Sequence, residues 1–270
     1  MGSLDDNRSV WTEGWDWSQR GDEWSGWWGG TAAMWHSALL PRIHAFVPAG
    51  TTLELAPGFG RWTQYLKDLC DRLIVVDLAQ NCIDACRERF RDATNIAYHI
   101  NDGRSLTMID DESVDFVFSF DSLVHADTDV IDAYLSQLRH KLTADGVAFI
   151  HHSNAGAYRA SSELARRLPP RWAGFLMHSG VLVDLTAWRS PSVTGDGVIT
   201  LSRQAGLSCV AQERLSWENG YYLTDAISIV TRQGSRWDRP LATTTTRRFA
   251  LEARRTARLY ARSSFAGLRR

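Results

Sequence analysis

The stretch Leu53-Glu-Leu-Ala-Pro-Gly-Phe-Gly-Arg-Trp-Thr63 runs from a short β-strand pattern through an acid into a tight, glycine-containing turn. Gly58 and Gly60 have no Cβ, so the backbone of this turn can approach a ligand closely. Asp77 stands nineteen residues beyond Gly58, at the end of the next strand pattern. A doubly wound α/β sheet places a carboxylate at that point to bind ribose hydroxyls. Asp102 follows the third strand pattern in the same way, so the three acids predict one ligand site at the carboxyl edge of a sheet.

Strand and helix patterns alternate on both sides of this turn, which predicts a mostly parallel sheet with helices on both faces. Five strands are predicted at Thr51–Leu55, Leu73–Asp77, Ile96–Ile100, Val114–Phe118 and Val147–Ile150. Helices are predicted at about 60–70, 79–92, 128–142 and 196–206. Residues 208–216 and 223–231 are predicted as an antiparallel pair at the sheet edge, which gives a seven-stranded α/β fold.

The chain divides into three predicted parts. Residues 1–48 form a tryptophan-rich N-terminal flap followed by a helix over 31–46. Residues 49–235 form the sheet domain, with a helical lid insertion at 155–190 after the fifth strand. Residues 236–270 form a basic tail, in which Thr243–Thr246 is a linker and 247–262 an arginine-rich helix.

Composition limits the class of protein. With 270 residues, 44% hydrophobic and 23% charged, the chain can bury a large core. Four cysteines are too few for a disulfide scaffold, and Cys82 and Cys86 are expected to pack. The sequence has no apolar run of about 20 residues and no signal-peptide pattern at its start. We therefore expect a cytoplasmic protein without a transmembrane segment, and the net charge of -1 does not favour a nucleic-acid partner.

Tryptophan and charge are unevenly distributed. Seven of the 12 tryptophans fall within the first 35 residues. From Arg236 onward there are ten arginines and two acids, so this end carries +8 and residues 1–235 carry -9. The basic tail can dock on the acidic body, on a second subunit as in a homodimer, or on an anionic membrane.

The pattern of the turn distinguishes between nucleotide ligands. A dinucleotide site needs three glycines and a helix N-terminus for the pyrophosphate, but Ala56 replaces the first glycine and the third is missing. A ligand without phosphates needs only a turn whose backbone can come close to it. The stretch resembles the first motif of the class I S-adenosylmethionine-dependent methyltransferases, over about residues 49–152. The departure at Ala56-Pro57 leaves the approach open because alanine is small.

This resemblance implies a Rossmann-like fold, S-adenosylmethionine as cofactor, and roles for nine residues. The methionine moiety would lie against Glu54, Ala56, Gly58 and Gly60. Asp77 would bind the ribose hydroxyls, and Asp102 with Gly103 the adenine edge. Ser119 and Phe120 would flank the amino-acid end of the cofactor.

Proton-handling residues follow the fourth and fifth strands. Methyl transfer to a hydroxyl needs a group that removes its proton, and imidazole titrates near neutral pH. His125 is the first candidate base and His152 the second, with Asp121 to orient either of them. Because successive side chains on a strand face opposite sides of the sheet, one of His151 and His152 should face the site and the other should pack against the rest of the protein. Each histidine can equally be a structural hydrogen-bonding residue.

A magnesium site is a further possibility at the same strand ends. Asp121 with His152 or Asn154 could hold Mg²⁺ beside an acceptor diol. Mg²⁺ prefers oxygen ligands, so the histidine argues against a typical cage.

Trp24, Trp27 and Trp28, interleaved with acids and amides, and Asn154 beyond the fifth strand are the predicted substrate residues. Indole rings cover the apolar faces of sugars, while carboxylates and amides bind the hydroxyls. Alternatively, the flap packs its indoles on the core or on a second subunit. The same stretches are similar to bacterial sugar O-methyltransferases, including those of mycobacterial methylmannose polysaccharides. That resemblance implies a sugar or oligosaccharide acceptor, specifically a mannoside hydroxyl, in polysaccharide biosynthesis.

Two other functions fit the same residues. One is a small-molecule O- or N-methyltransferase with a flat aromatic acceptor, since tryptophan rings stack on aromatic molecules as well as on sugars. The other is a cofactor- or carbohydrate-binding module that has lost catalysis.

Overall fold

The computed structural model describes residues 3–179, 181, 188–217 and 221–256. Its centre is one eight-stranded sheet with the strand order β3-β2-β1-β4-β5-β7-β6-β8. The strands are β1 (Ala49–Leu55), β2 (Cys70–Asp77), β3 (Ile96–Ile100), β4 (Val114–Ser119), β5 (Leu142–Ser153), β6 (Leu207–Leu215), β7 (Asp225–Arg232) and β8 (Ala242–Thr246).

Strands β1 to β5 are parallel, and β1 is paired with both β2 and β4. The chain order therefore reverses between β1 and β4, and open α/β sheets bind ligands at such a switch point. Strand β2 reads as a continuous apolar run because both faces of the sheet are covered, and its residues Leu73–Asp77 are buried.

The predicted antiparallel pair is present, since β7 runs antiparallel to β5 and to β6. The predicted Rossmann-like fold is confirmed, but the sheet has eight strands instead of seven. The eighth strand, Ala242–Thr246, pairs in parallel with β6. The sequence pattern predicts a linker at Thr243–Thr246 instead of this strand. These β-branched threonines form a strand because β6 offers them an unpaired edge.

Helices cover both faces of the sheet. They are α1 (Leu4–Ser9), α2 (Thr31–Met34), α3 (Leu40–Ile43), α4 (Thr63–Leu66), α5 (Gln80–Arg89), α6 (Thr128–Lys141), α7 (Arg159–Arg167), α8 (Pro170–His178) and α9 (Gly195–Gln204). A π-helical turn, Trp35–Leu39, joins α2 to α3 where Pro41 lacks an N–H to donate. The helix predicted over 60–70 is only one turn long, because the glycine-containing turn extends to Trp62.

Two apolar cores lie on opposite faces of the sheet. Helix α6 packs on one face, for example through Ile131 and Leu138. The segment from Trp28 to Ile43 packs on the other face together with α4. The predicted insertion contains α7 and α8. Of the predicted tail helix, residues 252–256 are helical, and 257–262 lie outside the described residues.

Part of the predicted basic tail belongs to the second core. Phe249 is fully buried and contacts the ring of Trp28 at a centroid distance of 5.1 Å. The Arg42 guanidinium lies 4.9 Å above the Phe249 ring and forms ion pairs with Glu213 and Glu252 at 2.7 and 2.8 Å. No helix of the described residues is both long and apolar enough to cross a membrane.

Replacing Phe249 with alanine should lower the free energy of unfolding by about 3–5 kcal/mol, because it leaves a ring-sized cavity in the core. Urea denaturation followed by circular dichroism measures this change. The matched control is F175A, since the Phe175 side chain is 64% exposed and its loss should cost less than about 0.5 kcal/mol. Equal stability of F249A and F175A would show that this segment is not part of the core.

Candidate functional site

The turn after β1 is built on left-handed backbone conformations. Ala56, Gly58 and Gly60 have φ angles of 55°, 58° and 81°. A Cβ on Gly60 would lie 2.5 Å from the Phe90 ring, so this glycine is required by packing behind the turn. The Ser122 hydroxyl donates to the carbonyl of Ala56 at 2.7 Å, which ties the turn to the loop after β4.

A cavity opens at this carboxyl edge of the sheet, bordered by the turn, the ends of β2 and β4, and the N-terminal segment. Of the nine residues predicted for the cofactor, five line it: Ala56, Gly58, Asp77, Gly103 and Phe120. The candidate catalytic residues Asp121 and His125 line it as well. The cavity therefore brings these predicted residues together at the carboxyl edge of the sheet.

Asp77, at the end of β2, lines this cavity with its carboxylate. Its Oδ1 accepts from the N–H of Ala79 at 2.9 Å, and its Oδ2 accepts from the N–H of Gly58 at 3.3 Å. Burial raises the pKa of Asp77 to about 6, so the group is ionised at neutral pH and protonated in mild acid. An ionised carboxylate has about four lone-pair sites, and two remain here for hydroxyl donors.

Four predicted cofactor residues do not line the cavity. Glu54 lies beneath the turn, where Thr63 donates to its Oε2 at 2.6 Å and burial raises its pKa to about 8. Gly60 faces Phe90. Ser119 donates to the carbonyl of Leu55. The exposed Asp102 carboxylate accepts from the backbone N–H groups of residues 104 and 105, so it caps its own turn.

The N-terminal segment closes the cavity from outside. Leu4 lies against Gly103, where a Cβ would come within 2.6 Å of it. The Asn7 amide donates to the carbonyl of His125 at 3.1 Å. Trp17 stacks on Phe59 with parallel rings at a centroid distance of 4.4 Å. The flap therefore binds to the glycine-containing turn and to the loop after β4.

A second pocket, here named the tryptophan pocket, adjoins the first. It is lined by Trp11, Trp15, Glu23, Trp24, Trp27, Asp121, His125, Trp188, Arg189 and Trp217. Two of the three predicted substrate tryptophans, Trp24 and Trp27, are among them. The third, Trp28, is corrected to a core residue, since it is 3% exposed and packs edge-on against Trp217 at 4.9 Å.

His125 and Asp121 lie at the junction, because both line the first cavity and the tryptophan pocket. The His125 Nδ1 is buried and has no hydrogen-bond partner among the described residues. Burial and the nearby Arg189 lower the pKa of His125 to about 4, so the imidazole is neutral at physiological pH and able to accept a proton.

The two histidines of β5 point to opposite faces, and the choice of His152 for the site is corrected. His152 is fully buried and bonds to the Ser153 carbonyl at 2.8 Å and the Ser228 hydroxyl at 2.9 Å. His151 points to the other face and lies behind the site, where its Nδ1 accepts from the N–H of Asp121 at 3.0 Å and its ring stacks on Phe120.

Asp121 belongs to a buried charge network that sequence reasoning missed. Its Oδ2 lies 2.8 Å from Arg61 Nη2, and its Oδ1 lies 3.9 Å from Arg189 Nη2. Arg189 also binds Asp225 with two hydrogen bonds of 2.6 and 3.0 Å. The position of Arg61 next to Gly60 was a usable signal, but nothing local in the sequence links Arg189 and Asp225, which are 36 residues apart.

Asn154 and the magnesium prediction are corrected too. The Asn154 amide donates to the Leu223 carbonyl and its oxygen accepts from the N–H of Gly195, both at 2.7 Å, so it is not a substrate residue of either pocket. Asp121 and His152 lie on different faces and do not form the predicted Mg²⁺ site. Within the described ranges, no group of three or more His, Cys, Asp or Glu side chains could hold a metal ion.

Comparison with known proteins identifies the domain. Residues 52–146 match a family model described as a methyltransferase domain. No curated protein sequence matches the chain. The matched segment runs from β1 into β5, and the sheet has the Rossmann-like fold of methyltransferases.

Solved structures share this fold at low sequence identity. A protein from Pyrococcus horikoshii has a TM-score of 0.53 and 17% identity, over 83% of this chain and 96% of that one. An S-adenosylmethionine-dependent methyltransferase from Mesorhizobium loti has a TM-score of 0.52 and 16% identity, over 74% and 98%. DhpI, in a complex with SAM and HEP, has a TM-score of 0.54 and 19% identity, over 85% and 98%.

Proposed function

We propose that the protein transfers a methyl group from S-adenosylmethionine to a hydroxyl of a neutral, polyhydroxylated acceptor, with a sugar such as a mannoside as the first class to test. One observation carries the proposal: His125 and Asp121 line both the cavity beside the glycine-containing turn and the tryptophan pocket. A cofactor and an acceptor in these two spaces would meet at a neutral imidazole.

The first cavity fits the cofactor in three respects. Gly58, which has no side chain, lines the cavity beside the Trp17 ring, and the Asp77 carboxylate keeps free lone pairs for ribose hydroxyls. Arg61 is 4% exposed and its Nη1 has no hydrogen-bond partner in the described part of the chain, so it can bind a carboxylate such as that of the methionine moiety. S-adenosylmethionine, when bound, supplies an activated methyl group on a sulfonium.

Asp77 should make cofactor binding depend on pH. Because its pKa is about 6, affinity for S-adenosylhomocysteine should be constant above that value and fall as pH drops below it, by up to about tenfold per unit. D77N should bind about 10- to 100-fold more weakly at pH 8, through loss of a charged hydrogen-bond acceptor, and should lose this pH dependence. Titration calorimetry measures both.

The control for this experiment is D102N, because the exposed Asp102 caps its own turn and should leave the affinity nearly unchanged. If the folded wild-type protein gave no calorimetric signal with S-adenosylhomocysteine, the proposed cofactor would be wrong.

His125 is the proposed base. A hydroxyl must lose its proton as the methyl group is transferred, and the neutral imidazole with an unpartnered Nδ1 can accept it. The low pKa has a defined consequence: the base stays neutral across the physiological range and becomes protonated only near pH 4. Asp121, held by Arg61, can orient the acceptor hydroxyl from the other side of the junction.

Replacing His125 with alanine should reduce turnover by about 10²–10⁴-fold while leaving binding of S-adenosylhomocysteine within a few fold. Single-turnover assays and calorimetry on the same preparation separate the two effects. H140A, which changes an exposed histidine on α6, is the matched control. Near-normal turnover of H125A would assign the proton to another group, and His151 would be tested next.

The chemistry of the tryptophan pocket favours a neutral sugar. Indole faces pack on the C–H faces of pyranoses, and Glu23 and Asp121 can accept from hydroxyls. The Arg189 charge is already neutralised by Asp225, so the pocket presents little net charge to an anionic substituent. Trp27 is 56% exposed at the rim, which suits an acceptor longer than one sugar unit.

An acceptor panel tests the substrate class. Formation of S-adenosylhomocysteine should be fastest with mannosides or oligosaccharides and should fall about tenfold or more in W27A with those acceptors. W237A, outside the tryptophan pocket, is the control. Faster turnover with catechols or other flat aromatics would favour the small-molecule alternative, which the six tryptophans also support. Cofactor binding without turnover on any acceptor would favour a binding module.

A further inference from the structure

Helices α7 and α8 carry an exposed surface that neither pocket uses. The apolar side chains of Leu164, Trp172 and Phe175 are 52%, 52% and 64% exposed. Arg166, Arg167 and Arg171 are exposed beside them. We name these six residues the arginine–aromatic surface. Helices α7 and α8 are in contact, and large apolar side chains exposed on adjoining helices mark an interaction site.

The charge of this surface differs from that of the surrounding protein. Residues 159–178 contain four arginines and one glutamate, a net charge of +3, whereas residues 1–235 as a whole carry -9. None of the four arginines forms an ion pair with another described residue. Positive charges that the protein leaves unneutralised favour an anionic partner.

The geometry of α8 places charge and apolar area on one face. Trp172 and Phe175 are three residues apart, and Arg171 and Phe175 four, so these side chains are neighbours on the helix surface. A helix with arginine beside tryptophan and phenylalanine suits a lipid interface, where aromatic rings lie at headgroup depth and guanidinium groups bind phosphates.

We propose that the arginine–aromatic surface docks on a membrane that contains anionic lipids. Two copies of the chain facing each other through it would bring six arginines together, and that repulsion argues against a homodimer at this site. The apolar side chains, including the aliphatic Leu164, favour a bilayer over a nucleic acid, whose backbone would engage the arginines alone.

The N-terminal end of α7 is connected to the tryptophan pocket by a short series of contacts. The Tyr158 hydroxyl, just before α7, accepts from the N–H of Leu223 at 3.1 Å, and the Tyr158 and Tyr222 rings are 5.0 Å apart. Two residues after Leu223, Asp225 binds Arg189 of the tryptophan pocket.

Cosedimentation of the full chain with phosphatidylcholine vesicles, with and without phosphatidylglycerol, tests the proposal. The wild type should bind only the anionic vesicles, and less at high salt. R166S/R167S/R171S should bind on the order of 100-fold more weakly, since each arginine near an anionic surface contributes about a factor of five. W172S/F175S should also bind more weakly although its charge is unchanged.

The matched control is R87S/R91S/R203S, which removes three exposed arginines elsewhere and should bind the anionic vesicles like the wild type. Circular dichroism confirms that each variant is folded. Undiminished binding by both surface variants would overturn the proposal and assign the membrane contact to the arginines of residues 258–270. Concentration-dependent self-association, or oligonucleotide binding without vesicle binding, would overturn it as well. None of these readouts depends on methyl transfer.

Discussion

The site depends on a buried chain of alternating charges centred on Asp121. Its carboxylate and the Arg61 guanidinium are 10% and 4% exposed and lie 2.8 Å apart. Ions with so little access to water are stable only when they are paired and hydrogen-bonded. Asp121 also has a left-handed backbone, with φ of 64°, and its N–H donates to the Nδ1 of His151. The partners on both sides of Asp121 hold this uncommon conformation in place.

The second half of the chain of charges is anchored by Asp225. This fully buried carboxylate binds Arg189 through both oxygens, and Arg189 holds its pKa well below the usual range. Trp217 donates its indole N–H to the same group. Arg61 follows β1, Asp121 follows β4, and Asp225 begins β7. The ends of three strands are thus held together by charge, and Asp121, in the middle of this network, lines both pockets.

The sheet could be predicted from the sequence because strands and the residues at their ends leave local patterns. Buried parallel strands read as apolar runs, and acids after them mark the carboxyl edge, so Asp77 and the turn at Gly58 could be located. Glu54 and Asp102 also stand at strand ends, but neither of them lines the cavity. An acid at a strand end can be satisfied by its own turn, as Asp102 is by the N–H groups of residues 104 and 105, and the sequence does not distinguish the two cases.

The direction in which individual side chains point was the second feature that the sequence could not predict. Alternation along β5 predicted that one of two adjacent histidines faces the site. Which of the two it is depends on neighbours on β7, where the Ser228 hydroxyl is hydrogen-bonded to His152. Trp28 was misassigned for a similar reason. It lies one residue from Trp27 on a short 3₁₀ helix, so the two indoles point to different sides, one to solvent and one to Phe249.

The six indoles of the tryptophan pocket come from outside the segment that matches the methyltransferase domain. Trp11 and Trp24 of the flap line both pockets, while Trp188 and Trp217 come from segments that follow β5 and β6. All of these lie outside residues 52–146, which match the methyltransferase domain. The sheet and the loops at its carboxyl edge supply the first cavity with Asp77 and Asp121. The indoles beside that cavity belong to the surrounding segments, so similarity over residues 52–146 alone carries no information about them.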